Sequence, residues 1–475
     1  MTECTPNLFG FQDLGSRRVE AAFDGGQVTS DGGGLLLREV EAKFGFVERF
    51  AGCFTDHRDP DLVEHTLPEL LKQRVFGLCL GYEDLNDHDQ LRHDPLMAVL
   101  VGKTDPLGQD RVRAADRGKA LAGKSTLNRL ELTPVRADAG SRYKKTVAHL
   151  DQIEDYLVDV FVQQHATPPQ RLVLDLDATD DPLHGHQLGR FFHGYYDAYC
   201  YLPLYIFCGD HPLCARLRPS DIDASCGALS QVQRIVTRLR QVWPDVPIVL
   251  RADSGFCREH LMRWCEANGV GYLFGLAKNR RLLRILGREL HEAQQPFEQT
   301  QQPARVFKEF EYRTLKSWSR ARRVLGKAEH LAKGANPRFV VTNLTGDPRQ
   351  LYEDDYCGRG DMENRIKEQQ LCLFADRTSC ATMRANQVRL YLSTVAYIVL
   401  RALRAFGLKD TEMAHAQCDT IRLRLLKIGA VIRVSVRRVV LALSEAYPFQ
   451  AVFAKVWENL RRLTVPLPQP APSTG

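Results

Sequence analysis

Residues 171–180, RLVLDLDATD, constrain the fold most strongly. Period-two alternation puts Leu172, Leu174, Leu176 and Ala178 on one face of a strand and Val173, Asp175 and Asp177 on the other. Two acids thus share a face of an otherwise apolar strand. Burying a carboxylate costs several kcal/mol (about 2–7 even for uncharged polar groups) unless a cation or hydrogen-bond donor compensates it, and a metal ion is one such partner. Residues 246–255, VPIVLRADSG, repeat the arrangement: Asp253 arrives where an apolar strand stops and Ser254-Gly255 turn toward a helix. Ligands of mixed sheets collect at the carboxyl ends of strands, so Asp177 and Asp253 meet there if their strands are parallel neighbours. Taken singly, Asp253 also suits a helix cap and Asp177 a turn through Asp180, Asp181 and Pro182.

A third element is YCGRGDMENRIKEQQL, in which Tyr356, Arg359, Glu363, Lys367 and Gln370 recur at three- and four-residue spacing and form one stripe of an α-helix. As a solvated face it needs only the Glu363–Lys367 pair, worth about 0.3–0.5 kcal/mol. Beside the two aspartates, Glu363 completes a three-carboxylate set with phosphate donors next to it.

Around these motifs the pattern reads as an α/β protein. Residues 1–165 are mainly helical after a short extended opening: Ser30 and Asp31 are expected to cap a helix carrying Leu35, Leu36, Leu37 and Val40, and an apolar stripe runs from 67 to 80. Gly32 to Gly34 lack the Lys-Ser/Thr of a phosphate loop and read as a turn. Strands are expected from 171, from 200 (CYLPLYIFCG), from 246 and over 272–276, with helices over 229–243 and 257–267. A polar, basic stretch over 280–337 interrupts this sheet domain; RFVVTNL, a helical segment near 352–373 and a long helix over 384–406 resume it. The expected division is 1–165, 166–279, 280–337, 338–408, 409–465 and a flexible tail, 466–475.

Composition excludes several classes. Hydrophobic residues at 44% and charged residues at 26% exclude collagen-like, low-complexity and wholly disordered chains. Thirteen scattered cysteines without a C-x2-C pair read as reduced apolar residues, and His184, His186 and His193 lack the second ligand cluster of a zinc site. The start lacks a signal-peptide pattern, and the apolar stretch 390–400 is too short to span a bilayer, so a soluble, unexported protein is expected. Asp84, Asp87, His88 and Asp89 look like a metal cluster but are expected to be helix caps, and Leu392, Val395, Val399 and Leu403 are expected to be core. The net charge of +6 conceals two basic regions: 308–338 holds nine basic and three acidic residues, 384–438 eleven and three. Both suit sequence-independent phosphate contacts.

These motifs together resemble the DDE transposases of bacterial insertion sequences, in the branch called transposase DDE domain group 1. Asp177-Ala178-Thr179 matches the family's first acid, Asp253-Ser254-Gly255-Phe256 its D-x-G-F/Y, and Tyr356, Arg359 and Glu363 its Y-x2-R-x3-E. The family's following lysine is replaced by Gln370, with Lys367 one turn earlier. The blocks 81–95, 125–131, 184–187 and 421–439 also look like that branch, so the likeness covers nearly the whole chain. Asp175 is the rival first acid; the x-T context favours Asp177.

The resemblance implies an RNase H-like mixed sheet as catalytic core, with a β-rich insertion, a mainly helical N-terminal domain that binds DNA ends, and C-terminal helices. It implies that Asp177, Asp253 and Glu363 bind two Mg2+ ions, with Mn2+ as substitute, for nicking at element ends and transesterification into target DNA. Tyr356, Arg359 and Lys367 would contact DNA at the site. Thr126, Asn128 and Arg129 would do so in the N-terminal domain, and Lys316, Arg320, Arg322 and Arg323 in the basic insertion. The implied partners are double-stranded DNA, as terminal inverted repeats and target, and a second copy in a synaptic homodimer, with no membrane. The expected location is the bacterial cytoplasm, at the nucleoid when acting. Rival readings are an inactive transposase-derived DNA-binding protein and an RNase H-like nuclease without strand transfer.

Overall fold

A computed structural model describes residues 8–464, which divide into two compact units, 8–148 with 372–374 and 395–464, and 149–371 with 375–394. The expected tail, 466–475, lies outside the described residues.

In the first unit, helices Leu35–Phe44, Leu67–Leu80 and Pro95–Val101 bury apolar faces, and Thr66 and Glu69 close a reciprocal capping box on the second. The C-terminal segment joins it through a sheet in which Ala430–Val434 pairs with both Gln27–Thr29 and Val439–Leu443. Asp31 does not cap the helix expected after it. It is buried, forms an ion pair with Lys427 at 2.6 Å and accepts a hydrogen bond from Tyr82 at 2.6 Å, because a tight turn over Gly32–Gly34 intervenes. That turn needs its glycines: a Cβ on Gly33 would lie 1.9 Å from the Leu425 carbonyl oxygen. Asp84, Asp87 and Asp89 serve helix starts, the last accepting from the Lys124 amide, and His88 is buried beside Gln73 and Arg74.

The second unit is built on one mixed sheet. Its main strands are β1 (Leu172–Ala178), β2 (Leu204–Cys208), β3 (His211–Arg216), β4 (Ile248–Ala252), β5 (Gly271–Gly275), β6 (Ala304–Tyr312), β7 (Arg322–Leu331) and β8 (Arg338–Thr342), in the order β3-β2-β1-β4-β5-β8-β7-β6, with a short ninth strand, Gly334–Ala335, paired to β7. Only β1, β4 and β5 run parallel, and every other neighbouring pair is antiparallel. The basic insertion therefore extends the sheet through β6 and β7, and it also carries a helix, Gly287–Thr300, over them. The expected strand from 200 is two strands in different sheets, Ala198–Tyr201 and β2, separated at Leu202 and Pro203. Strand β3 carries Pro212 and an irregular register, which hides its alternation.

The even-numbered residues of β1, β4 and β5 face one core with helices α1 (Leu150–Gln163), α2 (Ala228–Val242) and α3 (Glu259–Ala267). Helix α1 belongs to this unit, its buried Glu154 pairing with Arg216 and Arg234 and accepting from Tyr391. On the opposite face Val249, Leu273, Leu325 and Val340 pack with Leu351 and Tyr352, at the start of the glutamate-bearing helix.

Helix Met383–Ala402 continues as a wide turn to Gly407. At 25 residues, Met383–Gly407 is long and apolar enough to cross a membrane, more than the apolar stretch suggests, but 89% of its most apolar window is buried inside the protein, as core packing requires.

Candidate active site

The parallel register fixes two of the three acids. Leu172 to Leu176 of β1 pair with Ile248 to Ala252 of β4 at a constant offset, which carries Asp177 to the level of Asp253 at the carboxyl ends of both strands. Both belong to the odd-numbered face, the one covered by the glutamate helix. Asp253 caps the turn over Ser254–Phe256, its Oδ1 accepting from the Gly255 amide at 2.8 Å, so the capping role and the strand-end position coexist. Asp177 Oδ1 accepts from its neighbour, the Ala178 amide, at 3.0 Å.

Asp175 has a different role. Arg251, opposite it in the register, donates to Oδ1 at 2.5 Å and Oδ2 at 2.7 Å, and to the Asp355 carbonyl. Burial pushes the Asp175 carboxyl up while this guanidinium pulls it down. Asp175 is thus neutralised within the sheet, and the Arg251–Asp175 pair was the signal that spacing in the sequence left unread.

The third acid arrives on an irregular helix. Asp347 caps Pro348–Gln350, a wide π-turn spans Leu351–Tyr356, a tight 3-10 turn spans Cys357–Arg359, regular α-helix α4 runs over Gly360–Lys367, and a second π-turn spans Glu368–Cys372. The expected single stripe from Tyr356 to Gln370 is therefore broken at both ends, because each π-turn adds a residue and rotates the helix beyond it. Across the regular part Arg359 donates to Glu363 Oε1 at 2.8 Å and stands 4.0 Å from Asp177 Oδ1, bridging the helix acid to the strand acid. Gln370 donates instead to the Asp180 carbonyl, and Lys367 is exposed.

Tyr356 reaches β5. A Cβ on Gly275 would stand 2.6 Å from the Tyr356 hydroxyl, 3.0 Å from the Ser254 amide nitrogen and 3.2 Å from the Asp253 carbonyl carbon. A bare backbone at Gly275 lets tyrosine and aspartate approach; nothing in the sequence pattern singled that glycine out. At the other crowded point, a Cβ on Gly358 would meet Arg251 Nη1 at 2.7 Å.

The electrostatics show what the site lacks. Burial, opposed by Arg359 and reinforced by Asp253 and Glu363, pushes the Asp177 carboxyl up to about 7. Burial pulls Arg359 down, but Asp177 and the other nearby acids outweigh it and hold the guanidinium above its ordinary value. Negative charge here exceeds what one guanidinium compensates. Among the described residues no three His, Cys, Asp or Glu side chains converge as a ready metal site, Glu363 being turned to Arg359. The donor set is nonetheless all carboxylate oxygen, the chemistry suited to Mg2+.

The other expected contacts separate sharply. Arg322, expected to contact DNA, is buried and donates to Glu259 and Glu266. Arg323 is spent on Glu309 and the carbonyls of Leu344 and Gly346. Arg320 is exposed although paired with Glu266, and Lys316 is exposed. In the other basic region Arg401 and Arg404 are buried, Arg422 donates to the carbonyls of Leu78 and Cys79, and Lys427 holds Asp31, whereas Lys409, Arg424, Arg433, Arg437 and Arg438 are exposed, the last three on a hairpin. His186 faces Arg190, and His184 and His193 join no metal group among the described residues. Thr126, Asn128 and Arg129 lie on a helix of the first unit, Lys124–Leu132.

No curated protein matches the chain. A family model described as transposase DDE domain group 1 matches residues 11–465, nearly the whole length over which these acids are arranged, and the chain belongs to that family of DDE transposases.

Proposed function

We propose that the protein is a transposase that cuts DNA at the ends of an insertion sequence and joins those ends to target DNA by direct transesterification. The observation that carries this reading is the placement of Asp177 and Asp253 at one level of two parallel strands, with Glu363 linked to Asp177 through Arg359. The strand order β3-β2-β1-β4-β5, three antiparallel strands followed by two parallel ones, supports an RNase H-like core.

Asp177, Asp253 and Glu363 would hold two Mg2+ ions, or Mn2+. When bound, such ions activate an attacking water or 3′-hydroxyl and stabilise the leaving oxygen of an in-line displacement. The protein's own residues do the rest. Arg359, on accepting a phosphate, exchanges its contact with Glu363 for a two-pronged one with phosphate oxygens, which frees the glutamate. Tyr356, anchored over Gly275, orients the DNA beside the strand ends, and exposed Lys367 supplies a further cation to the backbone. Lys316 and Arg320 contact DNA farther along. Two copies hold the two element ends.

The test incubates purified protein with labelled end DNA and Mg2+ and resolves nicked from joined products. Asp177→Asn, Asp253→Asn and Glu363→Gln are each expected to abolish both. Cutting by Asp253→Asn at the parental rate would overturn the three-acid assignment, and nicking without joining by the parent would assign a nuclease.

A further inference from the structure

Between β1 and β2 the chain builds a hairpin that none of these assignments uses. Its strands, Phe191–His193 and Ala198–Tyr201, pair antiparallel, and the second also pairs with Asp181–Pro182, just past the end of β1. Phe192 stands opposite Tyr199 in this register, so the two rings share a face, with centroids 5.6 Å apart. The Arg190 guanidinium lies over the Tyr199 ring at 4.7 Å, donates to His186 Nδ1 at 2.9 Å and enters no ion pair among the described residues. At the turn Tyr195 meets Tyr196 edge to face at 5.0 Å. The one acid over residues 190–201 is Asp197, also in the turn.

This aromatic face is left open. Phe192 is 53% exposed, Tyr199 49% and Tyr195 85%. Single apolar side chains at a surface are ordinary, but neighbouring ones mark a binding surface. Two observations choose the occupant. Flat rings beside an unneutralised guanidinium match a nucleobase and its phosphate, because every base offers a π face and arginine both stacks and carries charge. The hairpin is also pinned at the strand end that carries the first acid: the Tyr196 hydroxyl donates to the carbonyl of Ala178, the residue after Asp177, at 3.3 Å. Burial and the charges of Asp180 and Asp177 raise that hydroxyl, so it stays a donor. Paired bases keep their faces stacked inside the duplex, so rings placed here meet only bases that have left it.

We propose that Phe192, Tyr199 and Tyr195 form a stacking platform for unpaired bases of the strand beside the cut, with Arg190 on the phosphate between them. The inference rests on the transposase reading and deepens it: the substrate is DNA locally opened at the cleavage site, and the bases that leave the duplex are held by rings without regard to their sequence.

Two assays test it, on the parent and on Phe192→Leu, Tyr199→Leu and Phe192→Leu/Tyr199→Leu proteins of unchanged melting temperature. Tyr195→Leu, at the most exposed ring, repeats the measurement where least is packed. The first assay is anisotropy of a fluorescent oligothymidylate, which needs no element sequence. Each single variant is expected to bind it about 5- to 100-fold more weakly, and Phe192→Tyr and Tyr199→Phe to bind as the parent does. The second is single-turnover cutting of saturating end duplex, either fully paired or mismatched beside the cut. The variants are expected to cut the paired end more slowly by a similar factor and to regain most of the rate on the mismatched end, whose bases are already unpaired. Parental oligothymidylate affinity in the double variant overturns the platform. So does an equal defect on paired and mismatched ends, which assigns the rings to the framework of the site. A change in sedimentation with parental oligothymidylate affinity also overturns it and assigns the rings to contact with a second copy. A parent that binds oligothymidylate through these rings but cuts no end DNA overturns the transposase reading and leaves the platform. A parent that cuts end DNA, with every variant equal to it in both assays, does the reverse.

Discussion

Arg251 grips both carboxylate oxygens of Asp175 one step below the level at which Asp177 and Asp253 end their strands. Asp175 is nearly inaccessible and Arg251 little more exposed, so removing either partner strands a buried charge. Arg251→Met and Asp175→Asn should each lose about 3–5 kcal/mol of stability in urea unfolding at pH 7. The double variant Arg251→Met/Asp175→Leu should recover most of it, because a pair of apolar groups leaves nothing unpaired. Single variants within about 1 kcal/mol of the parent would remove this pair from the framework of the site.

Arg322 makes the corresponding prediction for the insertion. Burial raises the carboxyls of Glu259 and Glu266, but the hydrogen bonds from Arg322 outweigh it and hold both below their ordinary values. Acids depressed on folding stabilise the protein above their unfolded value of 4.5, and that stability fades as pH falls through their lower folded values. Arg322→Met should therefore cost about 3 kcal/mol at pH 7 and progressively less below pH 4.5, read by urea unfolding at each pH. Its DNA binding, compared while folded, should keep the parental salt slope, whereas Lys316→Ala should flatten it by about one. A flattened slope in Arg322→Met would return this residue to the DNA surface.

How much of the fold and site was legible depends on the physics each signal encodes. The alternation in RLVLDLDATD and VPIVLRADSG marked both strands and their acids, because period-two patterning is the direct consequence of a pleated strand. It could not choose between Asp175 and Asp177, since the choice depends on Arg251, which lies 76 residues away in sequence and opposite in register. Charge counting over 308–338 found cations but not the acids outside that window, Glu259, Glu266 and Glu289, that neutralise several of them. The helical stripe was read with a constant 3.6-residue period, which the π-turns around Tyr356 and Gln370 do not obey. Close approaches at Gly275 and Gly358 leave no trace in periodicity at all.

Gly275 supplies a test of positioning without touching a charged group. An alanine methyl would overlap the Tyr356 hydroxyl and crowd the backbone of Asp253 and Ser254. Relief requires shifts of several tenths of an ångström at the strand end, so Gly275→Ala should slow end cleavage about 100-fold while costing about 1–3 kcal/mol in stability. Adding Tyr356→Phe removes the closest clash, and the double variant should then cut faster than Gly275→Ala alone. A Gly275→Ala protein with parental cleavage would show that the tyrosine's seat over β5 does not matter.

Cation binding can be read without DNA and without catalysis. Burial, reinforced by the charges of Asp253 and Glu363 and only partly offset by Arg359, lifts Asp177 to about 7, so the three carboxylates should gain stability from a divalent ion. Mn2+ at about a hundred times its dissociation constant should add about 2.7 kcal/mol per site, visible as a rise in melting temperature. Asp177→Asn and Asp253→Asn should lose that rise. Asp175→Asn, though less stable at the outset, should keep it, since both oxygens of Asp175 are already engaged by Arg251. The comparison decides the first acid: a Mn2+ response retained by Asp177→Asn and lost by Asp175→Asn would exchange their roles, and a response retained by every variant would place the cation elsewhere on the chain.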